Sequence, residues 1–192
     1  MSEFVYQLNL PPITDMLLDG INENMLAPLA RKADKTASFI YKSMLATSII
    51  KPECLNINGF EFTHALLFYK SNGKLGRIHT DTTDVSLTAW GINWIYGGFG
   101  ILEYWDEEDL VNEQVITRID EQGCPIKHYT SLVPARKIYT ITSPNAYLVN
   151  GSEIHRPTAW GGRWAISLRS YDESNYNMPW DNIVEKFKNL IV

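Results

Sequence analysis

His155-Arg156-Pro157-Thr158-Ala159-Trp160-Gly161-Gly162-Arg163-Trp164-Ala165-Ile166-Ser167-Leu168-Arg169-Ser170 is the stretch on which the fold turns. From Arg163 it alternates without a break. Arg163, Ala165, Ser167 and Arg169 point one way, and Trp164, Ile166 and Leu168 the other. A period of two describes a strand with two unlike faces. One face carries large apolar side chains suited to a packed layer, and the other carries small residues and two arginines. The second face reads as the interior of a barrel or sandwich. A guanidinium removed from water is costly unless it is paired, so two inward arginines call for an anionic partner. A dicarboxylate would supply it through forked, charge-assisted hydrogen bonds.

Working outward, short β-branched and aromatic runs alternate with turn signals from 58 to 172. The pattern predicts strands at 61–69, 76–80, 85–96, 100–105, 113–119, 137–142, 146–149 and 163–171. The signals between them include Ser71-Asn72-Gly73, Gly97-Gly98, Gln122-Gly123, Ser143-Pro144-Asn145, Asn150-Gly151 and Gly161-Gly162. Short strands at this spacing suggest a jelly-roll barrel or sandwich with a ligand site at its mouth.

The flanks read as helical. Ile13, Met16, Leu17, Ile21, Met25 and Leu29 keep near-helical spacing, and a second helix is expected from about 35 to 49, stopped at Lys51-Pro52. Residues 1–52 are therefore read as helical support. Pro179 opens an amphipathic helix over about 179–191, with Trp180, Ile183, Val184, Phe187, Leu190 and Ile191 on one face. Helices packed outside a sheet make an α+β domain.

At 192 residues the chain is one domain's worth, and 45% apolar with 20% charged residues is a globular composition. Seventeen basic against 22 acidic residues give a net charge of -5, and the pI is near 5.4. That balance argues against a nucleic-acid partner. Cys54 and Cys124 make neither a disulfide framework nor a paired zinc motif. Met1-Ser2-Glu3-Phe4 does not begin a secretory signal, and the longest apolar runs are strand-sized. A cytoplasmic protein with no membrane partner is expected.

Of the four histidines, His79 and His155 carry the chemistry. His79-Thr80-Asp81 puts an imidazole and a carboxylate two apart, on one face of an extended segment where both can grip one ion. His155, just after the strand-like Ala146-Tyr147-Leu148-Val149 and its Asn150-Gly151 turn, is the third candidate ligand. Two imidazoles and a carboxylate make the facial set that suits Fe(II) with open positions. Zinc can also bind such a set, although structural zinc usually closes its shell with sulfur or a fourth protein ligand.

With these residues in place, the sequence resembles the Fe(II)- and 2-oxoglutarate-dependent dioxygenases, especially the prolyl-hydroxylase-like branch. The likeness rests on His79-x-Asp81, the distal His155 and Arg163 on the following strand. Tyr69-Lys70-Ser71-Asn72-Gly73 is similar to that branch's Tyr-x-x-Asn-Gly lead-in, and the run from Gly97-Gly98 to Trp105 to its Gly-Gly-x-Leu strand. The resemblance covers about 60–171 and implies a double-stranded β-helix. It implies iron on His79, Asp81 and His155, and 2-oxoglutarate held at its far carboxylate by Arg163 with the Tyr69 hydroxyl assisting. Arg169 is the second candidate for the clamp, and Asn93, which shares parity with His79, is a candidate for the near carboxylate. The implied partners are 2-oxoglutarate, dioxygen and an unidentified primary substrate. The implied reaction is hydroxylation, since relatives that halogenate replace the carboxylate that Asp81 retains.

Other residues read more plainly. His64 is expected to be a satisfied sheet histidine, His128 a loop residue, and Asp106-Glu107-Glu108-Asp109 a solvated turn. Trp90 and Trp94 share the face opposite Asn93, as if packed beneath a helix. Two rival classes stay open: a jelly-roll module that binds without catalysis, and a cupin-type metalloenzyme that does not use 2-oxoglutarate.

Overall fold

An alternating strand buries one face only if a second layer covers it. The structure, a computed structural model that describes residues 3–18, 39–70, 74–82, 88–116, 126–170 and 173–192, provides a layer for each face. In chain order the strands are β1 (Val5–Leu8), β2 (Phe39–Leu45), β3 (Asn56–Ile57), β4 (Phe60–Glu61), β5 (His64–Lys70), β6 (Lys74–Leu75), β7 (Ile78–Thr80) and β8 (Trp90–Tyr96). There follow β9 (Phe99–Tyr104), β10 (Leu110–Ile116), β11 (Ile126–Ser131), β12 (Lys137–Thr142), β13 (Ala146–Asn150), β14 (His155–Trp160) and β15 (Arg163–Arg169).

Two large antiparallel sheets result, beside a small two-stranded one of β3 and β4. The first runs β1-β13-β8-β15-β5-β2, and the second β10-β11-β7-β14-β9-β12, with β6 paired to β14. The chain crosses between them repeatedly: β7 lies in the second sheet, β8 in the first, β9 in the second, and β13, β14 and β15 alternate again. This is the double-stranded β-helix form of the jelly roll. The β10–β11 hairpin is inserted between β9 and β12 and reaches across to pair with β7.

The alternation of β15 sorts its residues as expected. Trp164, Ile166 and Leu168 join Trp90, Ile92, Trp94, Leu67 and Leu148 in one core, on the outer face of the first sheet. The second core lies between the sheets, with Val5, Ile95, Tyr147 and Val149 from one and Leu102, Tyr104 and Ile141 from the other, and Ala165 packs against it. The helix Trp180–Phe187 closes the outer core. Its Phe187 stacks on Phe60 at 5.3 Å and meets Trp90 edge-on at 5.8 Å. Such ring pairs are worth about 0.5–1.5 kcal/mol each beyond the area they bury. Trp90 therefore lies under this helix, while Trp94 donates from Nε1 to Pro11 O at 3.0 Å and shares its core with Ile13 and Met16 of the short helix Ile13–Met16.

At the end of the barrel, Gly97-Gly98 connects β8 to β9 and Gly161-Gly162 connects β14 to β15, all four with positive φ. The two turns pack on one another so closely that a Cβ on Gly98 would stand 2.4 Å from the Trp160 carbonyl oxygen. Only glycine meets both demands.

The helical reading of the N-terminal region holds in one place and fails in others. Ile13–Met16 is helical, but Val5–Leu8 is a strand on β13, and Phe39–Leu45, expected within a helix, pairs along the whole of β5. Phe39, Ile40 and Tyr41 are strand formers, and a long partner edge overrides a weak local helical pattern. Ile21, Met25 and Leu29, the turn signals at 71–73 and 122–123, and Cys124 lie outside the described residues. The expected strand at 113–119 is realised as Leu110–Ile116, and Ile126–Ser131 is a strand not anticipated.

Candidate metal centre

Strand register brings the site together. His79 on β7 stands opposite His155 at the start of β14, so the two imidazoles share a face, with ring centroids 4.4 Å apart. Asp81 follows two residues after His79, and its Oδ1 lies 3.4 Å from His79 Nε2. One ligand atom from each of His79, Asp81 and His155 falls within 4.8 Å of the others, a group that could hold a metal ion.

Each member is held from behind. The Nδ1 atoms of His79 and His155 each donate to a backbone carbonyl, of Arg77 and Glu153 respectively, both at 2.8 Å. A carbonyl only accepts, so each Nδ1 carries the proton and each Nε2 presents a lone pair. The Asp81 amide donates to Gly151 O at 2.8 Å, and its Oδ2 accepts from Arg169 Nη2 at 3.0 Å. Gly151 is tight against this carboxylate: a Cβ there would lie 2.4 Å from Oδ2.

The electrostatics favour ligation. Burial alone would raise the Asp81 carboxyl, but its polar neighbours, with Arg169 the fixed charge among them, outweigh it and hold the group well below the usual carboxylate range. Burial, with His79 adding to it, pushes His155 down to about 4, so its imidazole is neutral at physiological pH. A metal accepts neutral imidazole and ionised carboxylate without first displacing a proton.

The arginines divide the work. Both lie on the inter-sheet face of β15, as the alternation predicts, but at opposite ends of it. Arg169 is occupied: its Nε donates to Ser167 Oγ at 2.9 Å while Nη2 engages Asp81. Arg163 is 5% exposed, and its Nη1 has no hydrogen-bond partner. It lies against Gly100 of β9, where a Cβ would approach Nη1 to 2.2 Å. Asn93 also faces between the sheets, opposite Ser167 and Tyr147, with its Oδ1 buried and unpartnered. An acceptor there answers a donor rather than a carboxylate, so any contact to an acid must use its Nδ2.

Tyr69 is corrected. It stands opposite Trp164, ring centroids 5.0 Å apart, in the outer core rather than between the sheets. Parity is the reason: on β5 the inward residue beside Arg163 is Lys70, which is 6% exposed. Its Nζ donates to the Pro157 carbonyl at 2.6 Å. His128 is also misread as a loop residue. It lies on β11 opposite His79, 6.4 Å ring to ring, with its Nδ1 3.3 Å from Arg77 Nη1. Across the second sheet the row therefore runs His128, His79, His155 and Tyr104. A cavity of about 440 Å³ opens across β7, β11 and β14, lined by Arg77, Ile78, His128, Tyr129 and Arg156 among others; Ile78, Tyr129 and Arg156 belong to the face of the second sheet opposite the triad. The acidic run takes no part, since Arg136 engages Asp106 at 2.8 Å, Glu108 at 2.5 Å and Asp109 at 2.6 Å.

No family model and no curated protein matches this chain. Solved structures that resemble it include Peruvianin-I, a cysteine peptidase from Thevetia peruviana latex, with a TM-score of 0.39 and 11% identity over 72% of this chain and 65% of that one. Another is the coconut allergen cocosin, with a TM-score of 0.41 and 12% identity over 79% of this chain and 34% of that one. A recombinant oxalate oxidase in complex with glycolate gives a TM-score of 0.27 and 10% identity over 81% of this chain and 68% of that one. The chain spans 65% and 34% of the lengths of the first two. These likenesses are distant, and the fold rests on its own sheet order and register. Among the described residues no helix is long and apolar enough to cross a membrane.

Proposed function

We propose that the protein is an Fe(II)- and 2-oxoglutarate-dependent oxygenase that hydroxylates a small molecule or a peptidyl side chain. Arg163 carries the reading. A guanidinium with a buried, unpartnered Nη1 facing the space between the sheets is a costly arrangement, on the order of 1–3 kcal/mol or more for one unsatisfied group. A carboxylate end entering from the metal side relieves it. The donor set fits the metal as well, with two Nε2 lone pairs and one ionised oxygen around a common point.

In this reading His79, Asp81 and His155 hold the metal, and Arg169 keeps the Asp81 carboxylate turned towards it. Arg163 fixes the far end of the diacid. When bound, iron and 2-oxoglutarate supply the activation of dioxygen and the oxidation of a C–H bond, with release of succinate and carbon dioxide. The chain itself orients the diacid and excludes water with the inter-sheet core.

A second reading, a cupin-type metalloenzyme that binds a different acid, draws on the same centre. It is favoured by the independence of the triad, whose back-bonds come from Arg77 O, Glu153 O and Arg169 and need no diacid. One experiment separates the readings. Anaerobic protein loaded with Fe(II) and then 2-oxoglutarate should develop the visible metal-to-ligand absorption band, and should convert 2-oxoglutarate slowly to succinate once air is admitted. Iron uptake without the band supports the cupin reading, and no iron uptake leaves only a binding module.

A further inference from the structure

We propose that Lys70 is the second cation of the clamp and shares the far carboxylate of the diacid with Arg163. The inference rests on the 2-oxoglutarate reading above and adds to it a residue and a proton. Lys70 and Arg163 are directly opposed across the β5–β15 ladder, on the face that looks between the sheets, and both are more than nine-tenths buried. Two buried cations side by side are a poor arrangement for an empty barrel. Nothing about the fold requires them, since Phe68 and Leu66 fill the next inward positions of the same strand.

The surroundings are shaped around both head groups. Gly76 stands where a Cβ would be 2.5 Å from Lys70 Nζ, and Gly100 where one would be 2.2 Å from Arg163 Nη1. Gly76, between β6 and β7, and Gly100 of β9 thus give up side chains to let two basic groups in. Lys70 Nζ is tethered to Pro157 O on β14. A lysine head on a four-carbon stem turns readily from a carbonyl to a carboxylate.

Charge adds a consequence. Burial, then Arg163 on β15 and Arg156 on β14, lower Lys70 to about 7. Arg156 itself is answered by Glu103 of β9, at 2.8 Å and 2.9 Å, and Gly76 brings no side chain. Near neutral pH the empty site therefore holds one fixed cation, Arg163, and one lysine close to its midpoint. A carboxylate placed between them reverses the balance of charge and favours the ammonium form. Capture of the diacid then draws a proton from solvent onto Nζ in every molecule whose lysine is neutral, about half of them at pH 7 and nearly all at pH 8, and no other bond is made or broken.

The test is calorimetric titration of 2-oxoglutarate into the metal-loaded, oxygen-free protein at pH 8, in phosphate and in Tris, which differ in ionisation heat. The expected result is uptake of close to one proton per ligand at pH 8, little at pH 6, and affinity falling about tenfold per pH unit above 7. Lys70→Arg, whose charge is fixed, should bind with no uptake, and Lys70→Met should bind weakly with none. Equal heats in the two buffers for the wild-type protein, or wild-type uptake retained in Lys70→Met, overturn the assignment while leaving 2-oxoglutarate as the ligand. No binding heat and no absorption band in any buffer overturn the parent reading together with it. The wild-type comparison needs no variant to fold.

Discussion

Arg169 Nη2 lies 3.0 Å from Asp81 Oδ2, joining residues 88 positions apart at the edge of the candidate metal centre. The guanidinium is fixed by Ser167 Oγ and lies against Gly91, where a Cβ would come within 2.7 Å of its Nε. With Oδ2 held, Oδ1 is left beside His79 Nε2. Partners of this kind govern metal affinity by about 10–100-fold. Arg169→Met should therefore weaken metal binding by that factor in competition with a chelator. Arg163→Met should leave metal affinity unchanged and abolish the 2-oxoglutarate absorption band. Equal effects of the two variants on the metal would remove the division of labour between them.

Gly151 tests the carboxylate from its other side. A Cβ there would stand 2.4 Å from Asp81 Oδ2 and 3.0 Å from Cγ, so alanine must push the carboxylate out of place. Gly151 does not have a positive φ, so the expected damage is steric and local. Gly151→Ala should lose at least tenfold in metal affinity, a loss of the second-sphere kind. Thermal unfolding of the metal-free protein should report a cost of about 1–3 kcal/mol, the usual penalty for overpacking. Wild-type metal affinity in this variant would mean that Asp81 is not a ligand.

The parts of this site most readable from sequence are those on extended backbone whose alternation is intact, and His155, at the head of the unexpected strand His155–Trp160, is placed instead by its distance from His79-x-Asp81. Arg163, Ser167 and Arg169 fall on the inward face because Trp164, Ile166 and Leu168 must fall on the other. His79 and Asp81 are paired by the same rule. Tyr69 shows where motif matching and parity disagree. The lead-in pattern selected the tyrosine, but β5 turns Ala65, Leu67 and Tyr69 outward into the core beneath the helix, and its inward neighbour is Lys70. His128 was hidden for another reason. Its place beside His79 depends on a hairpin that leaves β9 and returns to pair with β7, a contact between distant segments that no local period encodes. The strand Phe39–Leu45 was masked by apolar spacing that also suits a helix, and pairing along β5 decided between the two.

Gly100 separates diacid capture from metal binding. Its position on β9, opposite Ala159, is where Arg163 Nη1 and Thr158 O both close in to 2.2 Å of a would-be Cβ. Neither can yield freely, since one is a buried guanidinium and the other a strand carbonyl. Gly100→Ala should cost about 1–3 kcal/mol in unfolding free energy. It should also lower 2-oxoglutarate affinity at least tenfold, with metal affinity unchanged because the triad lies elsewhere on β7 and β14. Retention of the absorption band at wild-type ligand concentrations would place the diacid away from Arg163.

Lys70 also leaves a mark on the stability of the empty protein. Its folded value of about 7 lies below the ordinary 10.5 because burial and two arginines oppose the charge. Below about pH 7 the lysine is charged both folded and unfolded, and the folded state carries the full penalty. Between about 7 and 10.5 the unfolded chain binds more protons, so stability rises with pH across that window and levels off above it. Lys70→Met removes this contribution. In ligand-free protein the variant should be more stable than wild type at pH 6.5, by an amount on the order of a few kcal/mol. The advantage should shrink steadily as the pH approaches 10, as measured by denaturant unfolding at matched ionic strength. Parallel stability curves for the two proteins would show that the lysine keeps its charge in the empty barrel, and with it would go the reason for a proton to accompany the diacid.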